Sequence, residues 1–437
     1  MVLFISKQGE MDRGTSVLSV IVCVMVVSMY FFPFGLHFLP ETFNTKIGLA
    51  VIGLLFMAYS VLRNRELTVN RLLIPSVLLA LIFSLFCLLS VDYNGTSDYS
   101  YATYIISFAT WLSAAFATYW ILRYFHGHVP LKRIIFYLAL VCVMQCVLAL
   151  LIENVSSFKT FVDTYISQST IADEAFLTKV DRLYGIGAAL DPAGTRFSIV
   201  LLIIGGMLAK EDNLERREVF FYWAAFIFIS VIGNIISRTT IIGTGLGLLL
   251  YVLDSRLLKA EIVKDVLIRF GILLLLLLVG SAIAIYFYQN SPAMRESLRY
   301  GFEGFFNWVE KGEWKTSSTD LLLNAWKWPT DLQGWVIGYG LFADWVFDTD
   351  IGYCRFVLYS GLLGLVSFSI FFFYNAWACI QKFPSYNLAF LFLLALTFII
   401  WFKVSTDLYL IYGLLFCIDG EAVRKSFLNK HQEGRKQ

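Results

Sequence analysis

The run VLIRFGILLLLLLVGSAIAIYFY, residues 266–288, carries one charged side chain, Arg269. It is long enough to cross a bilayer as a helix, which takes roughly 20 mostly apolar residues. Similar runs recur along the chain. Reading for them gives about twelve spans, near residues 16–33, 47–64, 72–91, 103–122, 134–152, 196–210, 219–237, 240–254, 266–288, 354–378, 386–402 and 405–419. Backbone polar groups find no water inside a bilayer, so each span is expected to be α-helical. The predicted fold class is therefore all-α, a polytopic integral membrane protein forming one transmembrane domain over residues 1–437.

Composition agrees. Of 437 residues, 58% are hydrophobic and only 15% charged, a mixture that no water-facing fold can bury. The formal net charge of +2 gives no electrostatic footprint for nucleic acid. Seven cysteines lie almost entirely within apolar runs, with no CxxC pair, so neither a disulfide framework nor a zinc site is expected. The first run lacks a small-residue cleavage pattern and reads as a retained helix, not a signal peptide.

Lysine and arginine set the orientation. With a cytoplasmic N-terminus, most of the 34 fall on short inner loops and the C-terminal tail, so both ends are expected inside. The outer segments are uneven: 153–195 and 289–353 are long, and the second is rich in Trp, Phe and Tyr.

A charge dragged into hydrocarbon costs about 3 kcal/mol or more, so charges kept at helix mouths call for a reason. In KVDRLYGIGAALDPAGTRFS, residues 179–198, Asp181, Arg182, Asp191 and Arg196 crowd the start of the sixth span. Arg238 sits in the tight turn between spans seven and eight. Arginine grips phosphate well, being planar, always charged and forked. The plainer reading is that each arginine marks a boundary or pairs with a nearby acid. Asp350 runs directly into the tenth span, with Arg355 about one turn inside. It reads either as a helix cap or as a carboxylate whose proton affinity is raised for general-base work. Lys403 and Asp407, four apart, read as a pair. The HGH at 126–128 is a weak metal signal. There is no Walker loop, GxGxxG or HExxH. An outer site would lack nucleotide, so the energy for chemistry must arrive in the substrate.

The order RLYGIG (182–187), SRTTIIGTGLGLLLY (237–251), a long outer loop, VIGYGLFADW (336–345) and DIGYCRFVLYSGLLGLVSF (350–368) resembles the O-antigen polymerase and ligase superfamily. These are bacterial inner-membrane glycosyltransferases of the GT-C type. The motif order covers about residues 180–370. The resemblance implies outer arginines that bind the diphosphate of a polyprenyl-linked glycan; by motif these are Arg182 and Arg238, with Arg196 and Arg355 as lesser candidates. Ligases of the superfamily carry a histidine eleven residues before the first glycine of GLLG, which here falls on Asp350. That departure points to a polymerase. Its implied base is Asp350, with Asp191 second. The implied reaction is metal-independent and inverting, without a cofactor, in lipopolysaccharide or related surface-polysaccharide synthesis. It transfers the growing glycan from undecaprenyl diphosphate to the next lipid-linked repeat unit on the periplasmic face of the inner membrane, with membrane lipids and a chain-length regulator as further partners. The aromatic-rich segment 289–353 is expected to cover the site, with Trp308, Trp314, Trp326, Trp328 and Trp335 as sugar-stacking candidates or interface anchors. The alternatives are a ligase acting on lipid A core and a glycolipid transporter.

Overall fold

The computed structural model describes residues 17–40, 42–64, 71–168, 182–211, 214–255, 257, 264–343 and 346–421. Asp181, the N-terminal basic residues and the C-terminal tail lie outside these. Among the described residues, eight helices are long and apolar enough to cross a membrane. They are α2 (Thr45–Asn64), α3 (Leu73–Asn94), α4 (Tyr104–His126), α5 (Leu131–Asn154), α7 (Leu190–Lys210), α8 (Arg216–Ile236), α10 (Lys264–Asn290) and α15 (Gly352–Lys382). The other four apolar runs fold into shorter helices: α1 (Val17–Phe31), α9 (Thr240–Asp254), α16 (Asn387–Ile400) and α17 (Tyr409–Cys417). At 1.5 Å per residue, a helix such as α17 with nine residues falls short of the roughly 30 Å hydrocarbon core. The chain is an all-α membrane protein. The described residues also form a two-residue antiparallel ribbon, Gly35–Leu36 with Ile166–Ser167, whose second strand follows the short helix α6 (Ser156–Tyr165).

Helix α7 is the centre of the bundle, with nearly all of its apolar stretch buried. Lipid tails are as apolar as leucine, so packing, not the hydrophobic effect, holds such helices together, and small residues permit close approach. That is how α9 reaches α7. A Cβ on Gly243 would lie 2.1 Å from the Ser198 Cα, and one on Gly205 would lie 2.2 Å from the Gly247 carbonyl oxygen. The Gly- and Leu-rich stretch after Arg238 thus fixes the turn at 237–239 against the first turns of α7.

A second core is aromatic. Phe83 of α3 stacks on Phe368 of α15 at 4.1 Å, and Phe368 stacks on Trp401 at 5.4 Å. Helix α15 is broken at Gly361, whose φ of 63° and ψ of −170° leave the helical region. The break frees the carbonyls of Leu358 and Tyr359, and the segment before the helix takes them up. Tyr339 N–H donates to Leu358 at 2.7 Å, and Gly340 N–H donates to Tyr359 at 3.0 Å. Gly338, at φ 86°, lies so close to Tyr359 that no side chain fits. The GxG and GLLG stretches are therefore two halves of one joint, satisfied inside the protein as irregular backbone near a bilayer must be.

The described part of segment 289–353 is not an open loop. It contains α11 (Pro292–Gly301), α12 (Glu303–Lys311), α13 (Ser317–Asn324) and α14 (Leu332–Val336), with α11 packed on α8 and α10.

Candidate functional site

The two long segments meet at Tyr300. The Arg182 guanidinium carbon lies 5.1 Å from the Tyr300 ring centroid and that of Arg238 lies 4.1 Å from it, so two arginines remote in sequence are neighbours. Tyr300 is held by its own helix end: Asn234 Nδ2 donates to the Gly301 carbonyl at 2.7 Å, and Gly301 packs on Ile235. Arg238 also pairs with Glu303 at 2.7 Å and donates to Ser317 Oγ at 3.2 Å. Glu303 in turn accepts from the Ser317 N–H and hydroxyl at 3.1 and 3.0 Å. Arg238, Tyr300, Glu303 and Ser317 line a groove of ≈ 600 Å³ together with Pro292, Arg295, Glu296, Arg299 and Asn307, and Arg182 adjoins it through the Tyr300 ring.

Arg182 is placed by a folded loop, not by a helix. Gly185 N–H donates to the Ala188 carbonyl at 2.8 Å, and Gln145 Oε1 of α5 accepts the Ile186 N–H at 2.9 Å. Gly187 takes φ 68° with its Cα against the carbonyls of Phe32 and Pro33, where a Cβ would come within 2.7 Å. The RLYGIG stretch is bent onto the bundle this way.

The carboxylates form a second cluster beside the first. Asp191 accepts from Lys403 Nζ at 2.6 Å, Thr239 Oγ1 at 2.6 Å and Ser237 Oγ at 3.2 Å. Ser237 and Thr239 flank Arg238, so the residue beside the phosphate-gripping candidate anchors the acid. Lys403 does not pair with Asp407 as the spacing predicts; it reaches Asp191 and also Thr239 at 2.9 Å.

Asp350 caps nothing: the helix after it starts at an Ile351 N-cap with no side-chain hydrogen bond. Its carboxylate is open to solvent on one side, while the protein behind it withdraws water and raises its affinity for a proton. The negative charge of Asp191 raises it further, whereas Arg355 and Lys403 pull it down. Two non-glycine residues among those described have positive φ, Leu190 at 51° and Asp348 at 48°. One precedes Asp191 and the other lies two before Asp350. Such strain costs about 1–3 kcal/mol and gathers where a site is held in an uncommon geometry.

The approach to Asp350 is clamped from below. Asp98, in the turn between α3 and α4, accepts the Phe342 and Ala343 N–H groups at 2.5 and 2.6 Å. Burial opposes its charge, but these bonds and those from Ser100 outweigh it and keep the carboxyl below its ordinary range. Arg355 donates to the Phe342 carbonyl at 2.6 Å and lies 3.7 Å over its ring. Arg355 is thus a strut for this segment. Arg196, buried in α7, lies 5.7 Å from the Phe32 ring and bonds the Gly187 carbonyl at 3.5 Å, bracing the Arg182 loop. Of the four arginines expected at the diphosphate, Arg182 and Arg238 come together at Tyr300, whereas Arg196 contacts Phe32 and Gly187 and Arg355 contacts Phe342 and Ser405.

The sequence missed Tyr300, Glu303, Asn234, Gln145 and Asp98, since each acts through a partner far away in the chain. The histidines of HGH serve structure. His126 bonds the Tyr137 hydroxyl at 2.6 Å and His128 the Asp419 carboxylate at 2.7 Å.

No protein-family model matches this chain, and no curated protein or solved structure is significantly similar to it.

Proposed function

We propose that this protein is a membrane glycosyltransferase of the O-antigen polymerase kind, which lengthens undecaprenyl-diphosphate-linked oligosaccharides on the periplasmic face of a bacterial inner membrane. In this reading all twelve apolar runs carry the chain across the membrane, the four shorter helices together with the irregular backbone beside them, both chain ends are cytoplasmic, and the groove faces the periplasm. The observation that carries it is the meeting of Arg182 and Arg238 on one ring, Tyr300, at a groove whose neighbouring turn holds Asp191. A transporter would instead be expected to gather its charges at mid-membrane in broken helices.

The chemistry follows from the residues. The bond from the donor's anomeric carbon to the diphosphate oxygen breaks, and that carbon bonds the acceptor hydroxyl oxygen from the opposite face. The electron pair leaves with the diphosphate, whose growing charge faces Arg182 and Arg238. Each well-placed donor to such a charge contributes roughly 3 kcal/mol to the transition state. The hydroxyl proton passes to Asp350. Asp191 is already committed to Lys403, Thr239 and Ser237, which leaves Asp350 as the better base. Glu303 holds Arg238 in place until the diphosphate exchanges for it.

Purified protein supplied only with lipid-linked repeat units tests the reading. Chain lengthening with release of undecaprenyl diphosphate is expected. Inertness until lipid A core is added would make the protein a ligase, and inertness with both would remove the enzyme.

The charges around Asp350 give an independent check through pH. A base works deprotonated, so transfer falls as pH drops through its pKa, and that pKa lies above the ordinary carboxylate value of about 3.9. Lys403→Met removes a cation that favours the charged form and should move the acid limb to higher pH. Asp191→Asn removes a like charge and should move it to lower pH. Rate–pH profiles of the two variants, compared with the parent protein, should therefore separate in opposite directions. Shifts in the same direction would exclude Asp350 as the base.

A further inference from the structure

The five tryptophans that the sequence offers as one group divide into two. In α12, Phe305, Trp308 and Val309 lie at i, i+3 and i+4 and are all exposed, and the Trp308 ring is 6.4 Å from that of Trp314. A short helix with one open apolar stripe and charges elsewhere, here Glu303, Glu310 and Lys311, is the pattern of a segment lying in a membrane interface.

The other three belong to a continuous row. Trp335 stacks on Trp328 at 5.5 Å and 15°, Trp328 meets Trp326 at 5.6 Å, and Trp326 meets Phe402 at 6.2 Å. Trp326 and Trp328 stand 36% and 41% exposed and Phe402 54%, so the row is open from Trp328 to Phe402, while Trp335 is half-buried behind Trp328. It ends at chemistry. Phe402 precedes Lys403, whose ammonium holds Asp191. Thr349 Oγ1 donates to the Ala325 carbonyl at 2.5 Å, which ties the residue before Trp326 to the residue before Asp350. An interface anchor needs only lipid on one side and water on the other. A row of flat rings leading to a base and a lysine–aspartate pair has a different use.

We infer that Trp335, Trp328, Trp326 and Phe402 form the acceptor subsite, a stacking platform for pyranose rings that delivers a sugar hydroxyl to Asp350. The inference rests on the glycosyl-transfer reading above. A pyranose has a face of C–H bonds and a rim of hydroxyls. Its face gains dispersion contact on an aromatic ring while its rim keeps its hydrogen bonds, which suits a site that must hold a neutral, well-hydrated chain. Rings in series accept several sugars in register.

The test uses the full-length protein in vesicles, with the lipid-linked repeat unit as acceptor and the lipid-free repeat-unit oligosaccharide as a binding probe. Trp326→Leu and Trp328→Leu should each raise the acceptor KM by about tenfold, the scale of one lost ring-stacking contact, and by more than they lower kcat. The double variant should lose the fluorescence response to the free oligosaccharide. Trp308→Leu should leave acceptor KM unchanged. Brominated phospholipid should quench the emission of Trp308 and Trp314 and spare that of Trp326 and Trp328. An unchanged acceptor KM together with a retained oligosaccharide response in the double variant would overturn the subsite. So would bromine quenching of Trp326 and Trp328, which would make the row a membrane anchor. Should the unmodified protein transfer nothing yet respond to the oligosaccharide through these rings, the platform stands and the reaction reading falls.

Discussion

Arg182→Ala and Arg238→Ala are each expected to lower glycan transfer by about 10²-fold or more, with the protein still folded in the membrane. Removing one preorganised donor from a developing oxyanion costs about 2.7–4 kcal/mol. Both guanidiniums lie against Tyr300, so either loss also unsettles the ring that the other uses. The two effects should therefore fall short of additive when combined, as for residues sharing a partner. Arg→Lys at either position should rescue little, because an ammonium is a point charge and lacks the planar fork that grips a phosphate by two bonds. The checks are a polysaccharide ladder on a gel and the amount of membrane-extracted protein running as a single species. Wild-type ladders from both alanine variants would remove these residues from the reaction.

Asp350→Asn is the second large effect, a loss of roughly 10²–10⁴-fold in transfer with donor binding retained. The amide keeps the shape and the backbone but cannot take the hydroxyl proton. Because Asp350 is not the cap of α15 and is open on one side, the substitution leaves the fold intact. Asp98→Asn should give a different profile. It weakens the two short bonds that fix Phe342 and Ala343, so the segment carrying Asp350 loosens and transfer falls without abolition. Single-turnover rates with bound donor separate the two: a lost base slows the chemical step most above the pKa of Asp350 and flattens the acid limb, whereas a loosened approach slows it less and keeps that limb. Transfer undiminished in Asp350→Asn would hand the role to another residue.

The eight long apolar helices were legible because a bilayer forces a simple pattern on sequence, long apolar runs closed as helices. Their ends were harder. Span six was read from 196, yet α7 begins at Leu190. The polar run from Asp191 to Arg196 looked like loop because nothing local satisfies it; it is helical because Lys403, Thr239 and Ser237 satisfy Asp191 from other elements. The Lys403–Asp407 pair failed for a related reason. A spacing of four brings side chains together only on a helix, and residues 401–408 turn irregularly between α16 and α17. Arg182, Arg238, Asp191 and Asp350 could be singled out because charge beside lipid is costly. Tyr300 and Glu303 could not, since an aromatic and an acid on a polar segment are unremarkable until the fold carries them to Arg238.

Calorimetric titration of the purified protein with undecaprenyl diphosphate is the most direct test of whether two arginines from separate segments hold one diphosphate. Binding to the parent protein is expected, weakened by about tenfold to a hundredfold in each single alanine variant, the scale of one lost charged hydrogen bond. It should be undetectable in the Arg182→Ala, Arg238→Ala double variant. Undiminished binding by the folded double variant would mean that the convergence at Tyr300 serves the fold alone.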